Sequence, residues 1–324
     1  MDVAIGIDIG GTKVSGGVVD ETGQILYRSR AATPDRSTSP QIVEDTIVAV
    51  VDDLLAQAGD DLTVHAVGIG AAGWVSSDRG TVLFAPHLSW RNERLRESLQ
   101  DRVSAPLCVD NDANAAAWAE WRFGAARDQP DMVMITLGTG IGGAILREGA
   151  VDRGRWGLAG EFGHMQMVPD GQRCECGNRG CWEQYASGNA LVREARSMIE
   201  SRSPLASDLS ARVAADGGPL TGPLVTTAAQ EGDPTAVELL SEIGHWLGVG
   251  LANLAAALDP TMFVIGGGVS AAGDLLIGPA KDAFRRRLPG RGYRPEARIE
   301  AASLGNDAGL IGAADLAWAE VRGH

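Results

Sequence analysis

Two stretches of this chain share one outline, and that repetition restricts the fold more than any other feature. The apolar run Val3 to Ile9, interrupted by Gly6 and Asp8, meets Gly10, Gly11, Thr12 and Lys13 before a second run reaches Val19. Between residues 131 and 146 the pattern returns as MVMITL, then Gly138, Thr139, Gly140, Ile141, Gly142 and Gly143, then AIL. Each reads as a strand, a Gly-rich turn and a second strand. The first is not a Walker loop, which would lead into a helix. Glycines there let backbone N–H groups approach an anion, Thr12 and Lys13 add a hydroxyl and an ammonium, and Asp8 has the chemistry to hold hydrated magnesium. A bare Gly-Gly-Thr turn is common, so one alone leaves phosphate binding open. Two of them in 324 residues, a length that accommodates two domains, suggest a duplicated domain clasping phosphates from both sides.

Around these hairpins the apolar spacing predicts a helix over 41–58 with Ser39 as N-cap, Pro40 in the first turn and Gly59 as terminator. A strand over 64–70 runs into loops containing Gly73, Trp74, His87 and Trp90, whose rings read as packing anchors. A short strand, 107–109, delivers Asp110, Asn111 and Asp112 to an Ala-rich helix over 113–123. In open α/β folds, ligand sites lie outside the carboxyl ends of strands. One of these three polar residues therefore reads as a base and another as a helix cap. Further helices are expected over 189–201, 234–258 and 304–320, with a polar connection from 202 to 232. A buried strand, 263–265, runs into Gly266, Gly267 and Gly268, which either admit a flat group such as a nucleobase or ribose, or make a tight turn.

Three of the four cysteines and one histidine fall together as H-x9-C-x-C-x4-C: His164, Cys174, Cys176 and Cys181. Zinc takes imidazole and thiolate in a tetrahedron, and four protein ligands leave no position for a catalytic water, so the set reads as structural zinc. The alternative is free thiols in a Gly-rich loop. Glu161 and Glu183 flank the cluster. Either they are solvated loop acids or the clamp brings two carboxylates and an imidazole together, a set able to accept hydrogen bonds from a polyhydroxylated ligand.

The excess of 42 acidic over 28 basic residues, a formal charge of −14, repels nucleic acid and anionic lipid. The N-terminus has no charged signal-like region and no run of 18 apolar residues occurs, so the expectation is a soluble cytoplasmic protein without a nucleic-acid or membrane partner. Cys108, in the run LCVD, reads as a buried small hydrophobe.

Taken together, DIGGTK (8–13), DNDANAAA (110–117), LGTGIGG (137–143), GEFGH (160–164), CECGNRGCWE (174–183), GGG (266–268) and LGNDAGLIGAA (304–314) resemble the kinase branch of the ROK family. That resemblance covers nearly the whole chain. It implies an α/β, two-domain actin-like or sugar-kinase (ribonuclease H-like) fold with an inter-domain cleft, divided as 1–118 plus 304–324 and 119–303. It also implies an ATP-dependent kinase of a hexose, with glucose phosphorylated at its 6-hydroxyl. By position, Asp112 is the base and Asn111 and Gly73 lie on the sugar side. Glu161, His164 and Glu183 hold the sugar, His164 also binding zinc. Asp8, Gly10, Gly11, Thr12 and Lys13 face the phosphates and magnesium with Gly138, Thr139 and Gly140, and Gly267 and Gly268 lie near adenosine. A homo-oligomer, dimer or tetramer, is implied as well. Ala72 stands where many members have Pro, and His87 where many have Asn, which bears on sugar preference. Competing expectations are a kinase of fructose or an N-acetylhexosamine, a polyphosphate-using glucokinase, and a sugar-sensing repressor. The acidic charge and the early start of the first phosphate turn disfavour the repressor.

Overall fold

A computed structural model describes residues 1–323, which form two compact units. Unit 1 contains Met1–Pro130, Ala144–Gly160 and the chain from Ser303 onward; unit 2 contains Asp131–Gly143 and Glu161–Ala302.

In unit 1, β1 (Asp2–Ile9) and β2 (Lys13–Asp20) form an antiparallel hairpin, with Ile9 opposite Val14, and β3 (Ile25–Ala32) extends it. Helix α1 (Pro40–Ala58) buries Val43, Ile47, Val50, Val51 and Leu54, one face at the helical period. Ser39 occupies its N-cap without a side-chain bond, and Gly59 ends it at φ +59. Strand β4 (Thr63–Ala71) pairs parallel to β1. A small antiparallel sheet follows, β5 (Trp74–Val75), β6 (Val82–Phe84) and β7 (Arg91–Glu93). Here Trp74 tilts against Phe84 and Trp90 is fully buried, so these two rings pack as expected, whereas His87 is exposed and anchors nothing by burial. Helix α2 (Leu95–Gln100) leads to β8 (Leu107–Asn111), parallel to β4, and straight into α3 (Asp112–Arg122). Residues 118 and 119 lie inside α3, and the division into units comes later, after Pro130. The sheet order is β3-β2-β1-β4-β8, and Cys108 is buried beside Ala66 and Ala317.

The second sheet has the order β11-β10-β9-β12-β13. Its first strands are β9 (Met132–Leu137), β10 (Ile141–Arg147) and β11 (Ala150–Val151). Helices α4 (Glu183–Ala186) and α5 (Gly188–Glu200) follow the cysteine segment. The expected loop over 202–232 instead holds α6 (Ser207–Asp216) and α7 (Gly222–Gln230). These are short, but they bury Leu209 and Val225 and Ala229 respectively, and tertiary packing stabilises helices too short to persist alone. Helix α8 (Pro234–Leu258) matches its expected span, capped by the Asp233 carboxylate at the Ala236 N–H and closed by Asp259 at φ +48. Its interior Gly250 has a tertiary cause: a Cβ there would stand 2.1 Å from the buried Trp182 ring. Strand β12 (Met262–Gly266), helix α9 (Asp274–Arg287) and β13 (Arg298–Ala301) follow, with β12 parallel to both β9 and β13.

The last helix, α10 (Ala308–Arg322), starts four residues later than expected, because Gly305–Asp307 form a separate 3-10 turn. It returns to unit 1 at backbone contact. A Cβ on Gly6 would meet Leu310 O at 2.0 Å, one on Gly68 Ala313 O at 1.8 Å, and one on Gly312 Ala115 O at 1.7 Å. Glycine is therefore required by close approach at all three positions.

Candidate functional site

The parallel strands β1, β4 and β8 of unit 1 end on one edge, and their following residues collect there. In the first turn the Gly10 N–H donates to Lys13 O at 3.0 Å, and the Thr33 hydroxyl donates to Gly10 O at 2.7 Å, which pins the turn from β3's end. Gly11 and Thr12 are exposed. Asp8 is half-buried, with its carboxylate atoms 3.2 Å from where a Gly309 Cβ would stand. Burial raises the Asp8 carboxyl above its ordinary range, against the opposing pull of Lys13. A divalent cation would relieve that desolvation, so the residue fits hydrated magnesium.

The strand-to-helix junction separates the three polar residues by what they bond. Asn111 is the cap: its Oδ1 accepts from the N–H groups of Ala113 at 2.8 Å and Asn114 at 3.1 Å, and its Nδ2 donates to Gly73 O at 3.0 Å. Asp110 is 3% exposed and committed to the interior. It accepts from Asn111 N at 2.9 Å, Asn114 Nδ2 at 3.0 Å and Arg153 Nε at 2.9 Å, and Arg79 Nε lies 3.4 Å away. Asp112, half-buried in the first turn of α3, accepts from Ala113 N at 2.9 Å. Of the two acids, Asp112 is therefore the more exposed, while Asp110 is enclosed. Arg79, Arg153, Thr33 and Gly309 were not singled out from the sequence. Arg153 is 43 residues from Asp110, and no local pattern announces that pairing.

In unit 2, β9 and β12 end side by side, Thr136 opposite Gly266, which juxtaposes the second turn with the triple glycine. The Gly138 N–H donates to Gly140 O at 3.0 Å. Helix α5 begins on this turn, its Gly188 N–H donating to Gly138 O at 2.8 Å and Asn189 N–H to Thr139 O at 3.4 Å. Gly138 and Thr139 are exposed. Gly267 adopts φ +83 and lies so close to β9 that a Cβ would stand 2.5 Å from Leu137 O, while Gly268 is open to solvent.

The cysteine segment folds back on itself through bridges between Gln166 and Cys181 and between Arg173 and Arg179. Its four ligand atoms, from His164, Cys174, Cys176 and Cys181, lie within 4.8 Å of one another. Cys174 Sγ is 3.7 Å from His164 Nδ1 and Cys176 Sγ is 3.6 Å from Cys181 Sγ. A tetrahedron with bonds of about 2.3 Å has edges of about 3.8 Å, so the spacing suits zinc. Burial, with the adjacent Glu183 carboxylate, pushes the Cys174 thiol up, a cost that a bound cation would reverse. His164 Nε2 faces Glu161 Oε2 at 3.9 Å, and the Cys174 thiol donates to Glu183 Oε1 at 3.0 Å. The two acids and the imidazole are thus gathered by the cluster. Glu183 also reaches the second turn: a Cβ on Gly140 would lie 2.4 Å from its Oε2.

Comparison with known proteins gives this arrangement its context. The model of the ROK family matches residues 4–320. A glucokinase of Streptomyces coelicolor is 48% identical over 98% of this chain and 98% of its own length. The crystal structure of a ROK family glucokinase from Streptomyces griseus, in complex with glucose and AMPPNP, superposes with a TM-score of 0.87 at 48% identity, covering 98% of this chain and 99% of that one. An N-acetyl-D-glucosamine kinase of Yersinia pseudotuberculosis is 33% identical over 97% of this chain and 99% of its own. Among the described residues no helix is long and apolar enough to cross a membrane.

Proposed function

This chain belongs to the ROK family, and from that premise we propose that it is an ATP-dependent glucokinase that phosphorylates the 6-hydroxyl of glucose. The observation that carries the reading is the match, over nearly all of both chains, to the Streptomyces griseus glucokinase solved with glucose and AMPPNP. A sugar hydroxyl is a very weak acid, so a carboxylate must take its proton as it attacks. Asp112 is that base. The 6-oxygen bonds to the γ-phosphorus while the bond from that phosphorus to the bridging oxygen breaks, ADP leaves, and the hydroxyl proton goes to Asp112. Glu161, His164 and Glu183 accept or donate to the other sugar hydroxyls, and Asn111, whose Nδ2 has one N–H beyond that given to Gly73, supplies a further donor.

The N–H-rich turns at Gly10–Thr12 and Gly138–Gly140, with Lys13, bind and orient the phosphates, and Gly267 and Gly268 leave room for the adenosine. Asp8 would hold magnesium, which when bound neutralises phosphate charge. His164, Cys174, Cys176 and Cys181 would hold one structural zinc, which cross-links the segment carrying both sugar-side acids. We assign the first phosphate turn and the catalytic Asp112 to a domain of 1–118 plus 304–324, and the second phosphate turn, the zinc segment and the adenosine turn to 119–303. The enzyme would work in the cytoplasm, where ATP is available, as a dimer or tetramer, and light scattering at micromolar concentration returning a monomer mass would refute the oligomer.

A second reading, a kinase of an N-acetylated hexosamine, has the Yersinia relative in its favour. A coupled assay crossing ATP and polyphosphate with glucose, fructose, N-acetylglucosamine and N-acetylmannosamine separates them. The expected result is a kcat/KM for glucose with ATP at least tenfold above every other pair. A higher value for either N-acetylated sugar would replace glucokinase with the second reading.

A further inference from the structure

We infer that Asp110 and Arg153 form a buried ion pair that positions Asp112, making both of them positioning residues for the transfer. The inference rests on the kinase reading above, in which Asp112 is the base. Its ground is how the junction is tied. Asp110 Oδ1 accepts from Asn111 N, at the end of β8, and from Asn114 Nδ2, in the first turn of α3, at 2.9 and 3.0 Å. Asp112 lies between those two tethered residues, so one buried carboxylate holds its backbone from both sides. The other oxygen, Oδ2, accepts from Arg153 Nε at 2.9 Å and also from Nη2.

That guanidinium is itself held in place. The Arg153 carbonyl accepts from Ala159 N at 3.1 Å, and its Nη1 donates to Val151 O at 3.3 Å. The loop closes on Gly157, at φ +86, where a Cβ would stand 2.2 Å from Val75 O. Arg79, whose Nη1 pairs with Glu320 Oε2 at 2.7 Å, brings a second guanidinium to within 3.4 Å of Asp110. Two cations thus face one anion that is 3% exposed, and a buried charge that loses its partner becomes costly. Without Arg153, Asp110 is expected to turn toward water or Arg79 and release the Asn111 and Asn114 tethers. A displacement of about 1 Å at a reacting group can cost on the order of a hundredfold in rate. Of the sugar contacts only that of Asn111 shares this junction, and those of Glu161, His164 and Glu183 do not depend on these bonds, so the loss should fall mainly on kcat.

The test compares Arg153→Met, Arg153→Lys and Asp110→Asn with the parent in full-length protein. Arg153→Met should lose kcat by roughly 10- to 100-fold with the glucose KM within about threefold of the parent. Arg153→Lys, which keeps the charge but one fewer bond, should be intermediate. Hydrogen exchange across residues 107–118 should quicken in Arg153→Met more than in the rest of the chain. Parent-like kcat together with parent-like exchange, even with a lowered Tm, would overturn the inference and leave the pair a stability element. If Arg153→Met does not fold, Arg153→Lys carries the same two readouts, and parent values in both overturn it. A parent that turns over no hexose would defeat the kinase reading, while the exchange experiment would still decide whether this ion pair fixes the junction.

Discussion

The junction of β8 with α3 and the segment from Glu161 to Ala186 both present carboxylates, on scaffolds of opposite kind. Around Asp112 the support is a buried one: Val109, Ala113, Ala115 and Ala117 are all within the core, and Asp110 and Asn111 spend their side chains on neighbouring backbone and side-chain groups. Around Glu183 there is little to bury. From Pro169 to Gly180 only Cys174 and Gly180 are buried, and the shape is maintained by two isolated bridges, a few turn hydrogen bonds and the four gathered ligand atoms. Packing tolerates the loss of one polar contact, because many apolar contacts remain. A segment without a core depends on its cross-link. Disturbance at Asp112 should therefore alter the chemistry with the fold intact, and disturbance of the second region should alter shape and affinity together.

The largest expected effect tests the first half of that contrast. Asp112→Asn keeps size and hydrogen bonding but cannot take a proton, so kcat should fall by on the order of a hundredfold or more while glucose binding by calorimetry and the Tm remain near the parent. Asp110→Asn should lose kcat less steeply, through slackened tethers, and unlike Asp112→Asn should also cost stability, since its new amide N–H groups would oppose the Arg153 donors. Near-normal kcat in Asp112→Asn would remove the base from the mechanism.

Next comes the cross-link. Metal analysis should return one zinc per chain, and Cys176→Ser should raise the glucose KM about tenfold and lower the Tm by several degrees, through loss of one of four ligands. Protein free of zinc, with activity unchanged by chelation, would show that hydrogen bonds alone shape this segment and would collapse the contrast.

A smaller effect follows from Gly140→Ala. Its Cβ would lie 2.4 Å from Glu183 Oε2, so the carboxylate must swing aside and the glucose KM should rise severalfold. Gly11→Ala meets the exposed His87 side chain, its Cβ at 3.0 Å and Cγ at 3.4 Å, and should change glucose KM less. Equal effects would mean that Glu183 is not held by the second turn.

The smallest effect concerns pH. Burial raises the Asp8 carboxyl, so its protonated form is favoured by folding. The stability it contributes is complete below its ordinary range, about 4, and is lost as pH rises through the raised value. Without nucleotide or magnesium, Asp8→Asn should therefore exceed the parent in Tm at neutral pH, the gap closing on acidification. A gap that widens toward acid would mean that Asp8 is stabilised as an anion by its surroundings.

Much of this molecule is determined by local sequence. The two hairpins, α1 and α8 follow from apolar period and from punctuation by Gly10, Pro40, Gly59, Asp233 and Pro260, because turn geometry and helix ends depend on residues a few positions apart. The gathering of His164, Cys174, Cys176 and Cys181 was legible for the same reason, since they lie within 18 consecutive residues and carry thiol and imidazole groups of matching chemistry. What only the tertiary structure decided is which partner each polar group takes. DND could be read as base and cap in several ways until Arg153, 43 residues on, claimed Asp110, and until the carbonyl of Gly73 and two helix N–H groups claimed Asn111. Gly250 in α8 and the glycines beneath α10 were likewise settled by neighbours distant in sequence. Hydrogen bonds and close contacts act over a few ångströms of space, and only folding converts distance along the chain into distance of that kind.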